Sequence, residues 1–267
     1  MELNLNNLLA IAEEAARVAG ASIKSRKAEV IQSHGKDIKI DVDKDTHKAI
    51  LEILERSAIP VLSEEDNKHD FNMDLKWVVD PLDGSINFLR GIPSCAVSIG
   101  LIKDGEPILG VVYDFNREEM FSGIVGEGAW LNGRDIYISK VREKSEAIIM
   151  TGFPSYTDYS TEALDKYISM VQSFKKIRLI GSAALSLAYV ASGRADAYYE
   201  KDIKIWDVVA GLALVKSAGG NYTNIKIDKE GKCTAYAINM EILSDKIKYV
   251  SINMKNGSVL VIFTEKI

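Results

Sequence analysis

Trp77-Val78-Val79-Asp80-Pro81-Leu82-Asp83-Gly84-Ser85 decides how this chain is read. The apolar run Trp77-Val78-Val79 has the character of a buried strand. Two carboxylates, Asp80 and Asp83, follow three residues apart, on an expected turn at the strand's end. Pro81 fixes one backbone angle, and Gly84 permits close backbone approach. The two carboxylates can then converge on one place, with the Leu82 carbonyl between them as a third oxygen. Oxygen clusters of this kind suit hard divalent cations such as Mg²⁺, commonly with phosphate completing the shell. An acidic turn without a ligand is the competing reading, because Asp, Gly and Pro are ordinary turn residues.

The rest of the chain sets bounds. Its 267 residues, 47% of them hydrophobic, suit one large domain or two closely joined ones with a sizeable core. No run approaches the ~18 apolar residues of a membrane span. Met1-Glu2-Leu3-Asn4 has no basic region ahead of an apolar one, as a signal peptide would. The net charge of −5 argues against non-specific nucleic-acid binding, which relies on Lys and Arg to neutralise phosphates. A small phosphorylated substrate remains compatible, because bound metal reverses the local field. Cys95, in the apolar run Cys95-Ala96-Val97-Ser98-Ile99 and far from Cys233, reads as a buried small hydrophobe rather than half of a disulfide. A reducing, cytoplasmic setting is expected. His34, His47 and His69 lack the spacing of a structural zinc site.

Apolar periodicity predicts helices over about residues 4–27 and 43–57. Ile59-Pro60-Val61-Leu62 reads as a short strand running into Ser63-Glu64-Glu65-Asp66, with a polar loop over 67–74. Strands at 96–103, 108–115 and 119–125 are separated by Lys-Asp-Gly and Asn-Arg turns, which predicts an antiparallel meander. Trp130-Leu131-Asn132-Gly133-Arg134 carries the Asn-Gly hairpin signal. The second half alternates: helix 160–174, strand 177–180, helix 182–192 before Gly193, strand 196–200, and helix 206–217 stopped by Gly219-Gly220. Such alternation predicts an α/β layered region. Without a linker, halves of approximately 1–140 and 141–267 are expected to form one unit with a cleft between them.

Further acidic residues stand where the Asp80 stretch would need them. Glu64 ends one strand as Asp80 ends another, so adjacent strands would bring them together. A solvated acidic patch is the alternative for Glu64-Glu65-Asp66. Asp207 opens an apolar helix and Asp43 follows the strand-like Ile38-Lys39-Ile40-Asp41; capping a helix is the simplest role for each. Taken together, Asp43, Glu64, Asp80, Asp83 and Asp207 all fall at strand ends or helix starts. Crowded carboxylates repel unless cations neutralise them. Open α/β folds gather site residues in this way from several elements.

Ser63-Glu64-Glu65, the run Trp77-Val78-Val79-Asp80-Pro81-Leu82-Asp83-Gly84-Ser85-Ile86-Asn87-Phe88, and Trp206-Asp207-Val208-Val209-Ala210-Gly211 resemble signatures of the inositol monophosphatase family. Gly181-Ser182-Ala183-Ala184 and Ala195-Asp196-Ala197-Tyr198-Tyr199-Glu200 fit that family's substrate-contacting stretches in order and spacing. The resemblance spans about residues 5–225. It implies an α/β (α+β) fold, the layered α-β-α-β-α sandwich of the sugar phosphatases. It also implies Mg²⁺-dependent, lithium-sensitive phosphatase activity, with two to three Mg²⁺ per site and Mn²⁺ as a substitute. Glu64, Asp80 and the Leu82 carbonyl would hold the first metal. Asp80, Asp83 and Asp207 would hold the second, and Glu64 with waters a weaker third. The amides of Gly84 and Ser85 would take the substrate phosphate. Asp43, Ser85 and Glu64 would be catalytic, with Asp43 and Ser85 orienting the attacking water. Gly181, Ser182, Ala183, Glu200, Asp83 and Asp207 would line the substrate.

The implied substrate is a small sugar or polyol phosphate, inositol 1-phosphate first. Fructose 1,6-bisphosphate, alone or as a dual activity, comes second, and 3′-phosphoadenosine 5′-phosphate third. A non-catalytic protein that binds a phosphorylated ligand is the alternative of another class. The resemblance also implies a homodimer, with the apolar meander 95–125 as the candidate interface. Four departures stand out. Ser85 replaces the family's usual Thr, and Ser63 its usual Gly. Asp37-Ile38-Lys39-Ile40-Asp41 lacks the Thr or Ser commonly found before Asp43. Segments 246–250 and 258–263 flank Asn256-Gly257, which predicts a terminal β-hairpin where the family usually ends in a helix.

Overall fold

Apolar residues recurring every three to four positions make α1 (Leu5–Lys24) amphipathic, and its Ala12, Ala15, Ala16 and Ala19 are wholly buried. Asn4 caps its start by accepting a hydrogen bond from the Asn7 N–H. The computed structural model describes residues 3–25, 30–34, 37–40, 42–66, 70–153, 158–223, 226–239, 252–253 and 259–260. Side chains are described for these except in 30–45 and 252–260.

An antiparallel pair, β1 (Val30–His34) and β2 (Asp37–Ile40), precedes α2 (Val42–Leu54). The main sheet then lies side by side in chain order: β3 (Val61–Ser63), β4 (Leu75–Asp83), β5 (Ala96–Lys103), β6 (Glu106–Asp114), β7 (Glu119–Ile124), β8 (Gly128–Leu131) and β9 (Arg134–Asp135). β3 runs parallel to β4, and the rest is the expected antiparallel meander. A short helix, α3 (Ser85–Leu89), follows β4. Asn132 and Gly133 turn the β8–β9 hairpin, both with positive φ.

The second sheet is mixed, in the order β11-β10-β12-β14-β13. Its strands are β10 (Ile148–Thr151), β11 (Lys176–Arg178), β12 (Ala197–Lys204), β13 (Asn221–Tyr222) and β14 (Lys232–Ile238). Helices α4 (Thr161–Gln172), α5 (Ala183–Ala191) and α6 (Ile205–Ser217) alternate with them. β15 (Ile252–Asn253) and β16 (Val259–Leu260) pair antiparallel, the second within the expected strand 258–263, while the expected partner strand 246–250 and Asn256-Gly257 are not among the described residues. The remainder of that segment lies outside the described residues. β1, β10, β13 and β14 are strands that the sequence reading did not assign.

Strand alternation sorts the core into layers. Trp77, Val79, Val97, Ile99 and Val111 face α1 and α2, while Val78, Ala96, Val112 and Phe121 face α5 and α6. α5 and α6 are apolar nearly all round, because Tyr198, Ala235 and Ala237 of the second sheet cover their far side. On that sheet's outer face, Met170 of α4 packs with Ile149 and Ala197. The layers therefore run α-β-α-β-α, as expected. Among the described residues, no helix is long and apolar enough to cross a membrane.

Two sequence expectations are corrected. The turn placed after Val79 is not a strand end. Asp80 pairs with Ser98 and Asp83 with Ala96, so three steps on β4 face two on β5, and the strand continues through a bulge. The meander offered as a dimer interface is covered by the chain's own helices: Val97, Ile99, Val111 and Phe121 are all 0% exposed. Those side chains are not free to meet a second copy.

α6 is set unusually deep in the main sheet. Gly100 and Gly110 pair across β5 and β6. A Cβ at Gly110 would lie 2.1 Å from the Ala210 carbonyl oxygen, and one at Gly100 would lie 2.5 Å from Val209 Cγ1. Only glycine lets the helix backbone approach these strands so closely. That contact fixes where the first turn of α6 meets β4.

Candidate metal centre

The parallel register of β3 and β4 pairs Ser63 with Val79, so the next residues, Glu64 and Asp80, emerge side by side. The Glu64 N–H donates to the Val79 carbonyl at 3.1 Å, which extends the ladder by one step. α6 brings Asp207 to the same place. Carboxylate oxygens of Glu64, Asp80 and Asp207 lie within 4.8 Å of one another.

Asp80 is 2% exposed, and its Oδ1 accepts from the Leu82 N–H at 2.9 Å. Burial pushes its pKa well above the usual carboxylate range, and the charges of Glu64, Asp207 and Asp83 push it further. Asp207 is raised likewise, by burial first and then by Glu64, Asp83 and Glu200. A buried Asp80 flanked this closely by the half-buried carboxylates of Glu64 and Asp207 forms a donor set that a hard divalent cation fits.

Asp207 is the third residue of α6, not its cap. Lys204 occupies the cap position, and its N–H donates back to the Asp207 carboxylate. This is the reach-back half of a capping box. Helix capping and membership of the cluster are therefore compatible roles for one side chain.

Asp83 points differently. Its Oδ2 accepts from the Ser182 hydroxyl and, at 2.9 Å, from the Ala184 N–H. Ser182 also caps α5 by accepting from the Leu185 N–H at 3.2 Å. Burial raises the Asp83 pKa to about 6, with these hydrogen bonds opposing the rise. Asp83 thus ties β4 to the start of α5, beside the three-carboxylate cluster.

Gly84 has φ +83°, and a Cβ there would lie 2.8 Å from the Ser94 carbonyl oxygen. Ser85, half-buried, begins α3 immediately after it. Asn87, in the same short helix, donates to the carbonyls of Ser94 at 2.7 Å and Ile180 at 2.8 Å. It joins the Gly84-Ser85 turn to Gly181-Ser182-Ala183 on the other side of the site. Asp43 falls in the first turn of α2 rather than at its cap, and its side chain lies outside the described ones. β2, just ahead of it, runs beside α3.

Glu200 on β12 is 7% exposed, and its Oε2 accepts from the Tyr198 hydroxyl at 2.8 Å. Burial raises its pKa to about 7. Gly152 makes room for it, since a Cβ there would lie 2.6 Å from Glu200 Oε2. Three supporting residues went unassigned at the level of sequence: Asn87, Gly152 and Tyr198. The two-residue spacing of Tyr198 and Glu200 on one strand was a readable signal. The contact between Gly152 and Glu200, far apart in sequence, was not. Cys95 and Cys233 are both buried and free, as expected.

Known proteins resemble this chain in sequence and in fold. The model of the Inositol monophosphatase family matches residues 4–247. A protein named Nus factor SuhB from Xylella fastidiosa is 41% identical over 222 residues, 80% of each chain. The inositol monophosphatase structure from Anabaena (Nostoc) sp. PCC 7120 has 34% identity and a TM-score of 0.77, covering 90% of this chain and 93% of that one. The inositol monophosphate-bound SaIMPase-II structure, of the Staphylococcus aureus enzyme, has 28% identity and a TM-score of 0.74, covering 88% and 90%. By family match, identity and shared fold, this chain belongs to the inositol monophosphatase family.

Proposed function

We propose that the chain is a Mg²⁺-dependent phosphatase acting on a small sugar or polyol phosphate, inositol 1-phosphate first. The observation that carries the reading is the convergence of Glu64, Asp80 and Asp207 within 4.8 Å. Membership of the family and the inositol monophosphate held by one similar structure support the substrate class.

In this reading Glu64, Asp80 and the Leu82 carbonyl hold one cation, and Asp80, Asp83 and Asp207 a second. A third, weaker one rests on Glu64; Mg²⁺ is the natural ion and Mn²⁺ a substitute. When bound, divalent cations supply positive charge to the phosphoryl oxygens, the attacking water and the leaving oxygen. The chain's own groups do the rest. The amides of Gly84 and Ser85 cradle the phosphate. Asp43 and the Ser85 hydroxyl orient the attacking water. Ser85 lacks the methyl that would restrict a threonine's rotamer, so this pair is less tightly held. Ala183, at the start of α5, and Glu200 contact the hydroxyls of the substrate. Glu200 titrates near neutrality, so it offers those hydroxyls either a donor or an acceptor.

Fructose 1,6-bisphosphate, alone or as a dual activity, is the second candidate substrate, and 3′-phosphoadenosine 5′-phosphate the third. Phosphate release with Mg²⁺ from these and inositol 1-phosphate, side by side, tests the reading. Release from one or two of them is expected. Release from none, with Mg²⁺ binding intact, contradicts a catalytic role with these substrates.

The name Nus factor of the relative above favours a second reading, a part in the transcription machinery. Asp80→Asn separates the two: it ends turnover, and a non-catalytic role in transcription survives it. A cytoplasmic homodimer belongs to the same proposal. A monomeric mass by light scattering removes the dimer.

A further inference from the structure

Lys76 is a buried charge that the reaction proposed above does not use. It stands on β4 four residues before Asp80, is 3% exposed, and shares the α6-facing side of the strand with Val78. Its Nζ donates to the carbonyl oxygens of Met73 at 2.6 Å and Phe71 at 3.0 Å. Burying an ammonium is unfavourable, and an apolar chain of similar length packs there at lower cost. What the charge adds is direction: it holds the turn at 71–73 against the strand.

Phe71 reaches from that turn to α6. Its ring packs on the core that α5 and α6 share with the second sheet. A Cβ at Gly231 would lie 2.7 Å from Phe71 Cζ and 3.6 Å from Trp206 Cζ3, so the glycine (φ +76°) lets both rings close on the 228–231 turn. The Gly231 carbonyl accepts from the N–H of Ile205, the first residue of α6, at 2.9 Å. Asp207 lies two residues further on. The path from Lys76 to the cluster is therefore continuous: ammonium, Phe71 turn, Gly231, first turn of α6.

We propose that Lys76 is a positioning residue for the cation centre, fixing the first turn of α6, and with it the Asp207 carboxylate, against Glu64 and Asp80. The proposal rests on the reading of those three carboxylates as a divalent-cation site. Lys76 touches neither substrate nor cation.

Calorimetric titration of Mg²⁺ into metal-stripped protein tests it, with wild type, Lys76→Met, Lys76→Arg, Phe71→Ala and the double variant Lys76→Met/Phe71→Ala. Lys76→Met and Phe71→Ala each weaken Mg²⁺ about tenfold, the scale seen when a partner that orients a metal ligand is removed. Lys76→Arg, which keeps donors for the two carbonyls, recovers most of the affinity. The double variant is no weaker than the worse single one, because both act along one path. Turnover at saturating Mg²⁺ stays within about twofold. Gly231→Ala, which drives a methyl into the Phe71 ring with Lys76 intact, reproduces the loss and covers the case of a Lys76→Met protein that does not fold. Wild-type affinity in Lys76→Met, or losses that add in the double variant, overturns the proposal and leaves the cation site standing. No saturable binding by wild type removes the site itself and the proposal with it.

Discussion

Two buried aspartates on the main sheet, Asp80 and Asp114, are finished in opposite ways. Asp114 is 0% exposed and fully served by the chain. It accepts from the N–H groups of Asn116 at 3.1 Å and Arg117 at 3.0 Å, and pairs with the Arg117 guanidinium at 2.8 Å. Asp80 is nearly as buried, accepts from the Leu82 N–H, and has other carboxylates as its strongest charged neighbours. A buried charge is stable when paired and hydrogen-bonded. Asp114 meets that condition inside the fold, whereas Asp80 meets it when a cation from solution arrives. The first is built for stability and the second for binding.

The contrast breaks if the two respond alike to loss of charge. Asp80→Asn should cut phosphate release at saturating Mg²⁺ by at least about 10³-fold, on the scale of a lost transition-state contact. The same change should raise the melting temperature of metal-stripped protein, because one of several like charges is gone. Asp114→Asn should do the reverse, leaving turnover near wild type and lowering stability by about 1–3 kcal/mol. Thermal melts and steady-state kinetics on both variants decide it.

Gly110→Ala sharpens the contrast by moving Asp207 away. The new methyl meets the Ala210 carbonyl, so α6 must lift from the sheet. A loss of roughly 2–4 kcal/mol is expected, typical of overpacking against backbone. Mg²⁺ affinity should fall with it in whatever fraction stays folded. Unchanged stability would show that α6 does not bear on β6 as described.

The pH dependence is a smaller effect. Asp83 and Glu200 titrate at about 6 and about 7 in the folded chain, above the ordinary carboxylate value. The folded state therefore holds more protons than the unfolded one between about pH 4 and 7. Stability from this source is full below that window and is lost as pH rises through it. Metal-stripped protein should melt progressively lower from about pH 5 to 8. Added Mg²⁺ should restore stability, most strongly at the upper end, where it no longer competes with protons. A metal-free melting temperature that climbs over this range would contradict the raised carboxyls.

The smallest effect is expected at Tyr198→Phe, which removes the hydroxyl from Glu200. A loss of about 1 kcal/mol is expected, with the Glu200 titration, followed by the pH dependence of substrate binding, moved upward. An unmoved titration would show that Tyr198 does not hold that carboxyl.

The layered fold was legible because period-two and helical patterns are local: the meander at 96–125 and the helices around Leu8, Leu185 and Val209 follow directly from them. The cluster was legible because Glu64 and Asp207 sit at the boundaries of elements and Asp80 directly follows the apolar run Trp77-Val78-Val79, although β4 in fact continues past it. What was hidden depends on register and long-range contact. The bulge that carries β4 past Asp80 to Asp83 looked like a turn, because Pro81 and Gly84 serve either purpose. The depth at which α6 seats on Gly100 and Gly110 is a property of three elements at once. The role of Lys76 depends on the carbonyls of Phe71 and Met73 that surround its ammonium, which no local pattern in the sequence marks.

Titration of Mg²⁺ into metal-stripped wild type, Asp80→Asn and Asp114→Asn at about pH 8, where the carboxylates are most ionised, tests the central claim most directly. Saturable binding in wild type and Asp114→Asn, lost in Asp80→Asn, is the predicted result. No saturable binding in wild type, or equal binding in Asp80→Asn, would contradict it.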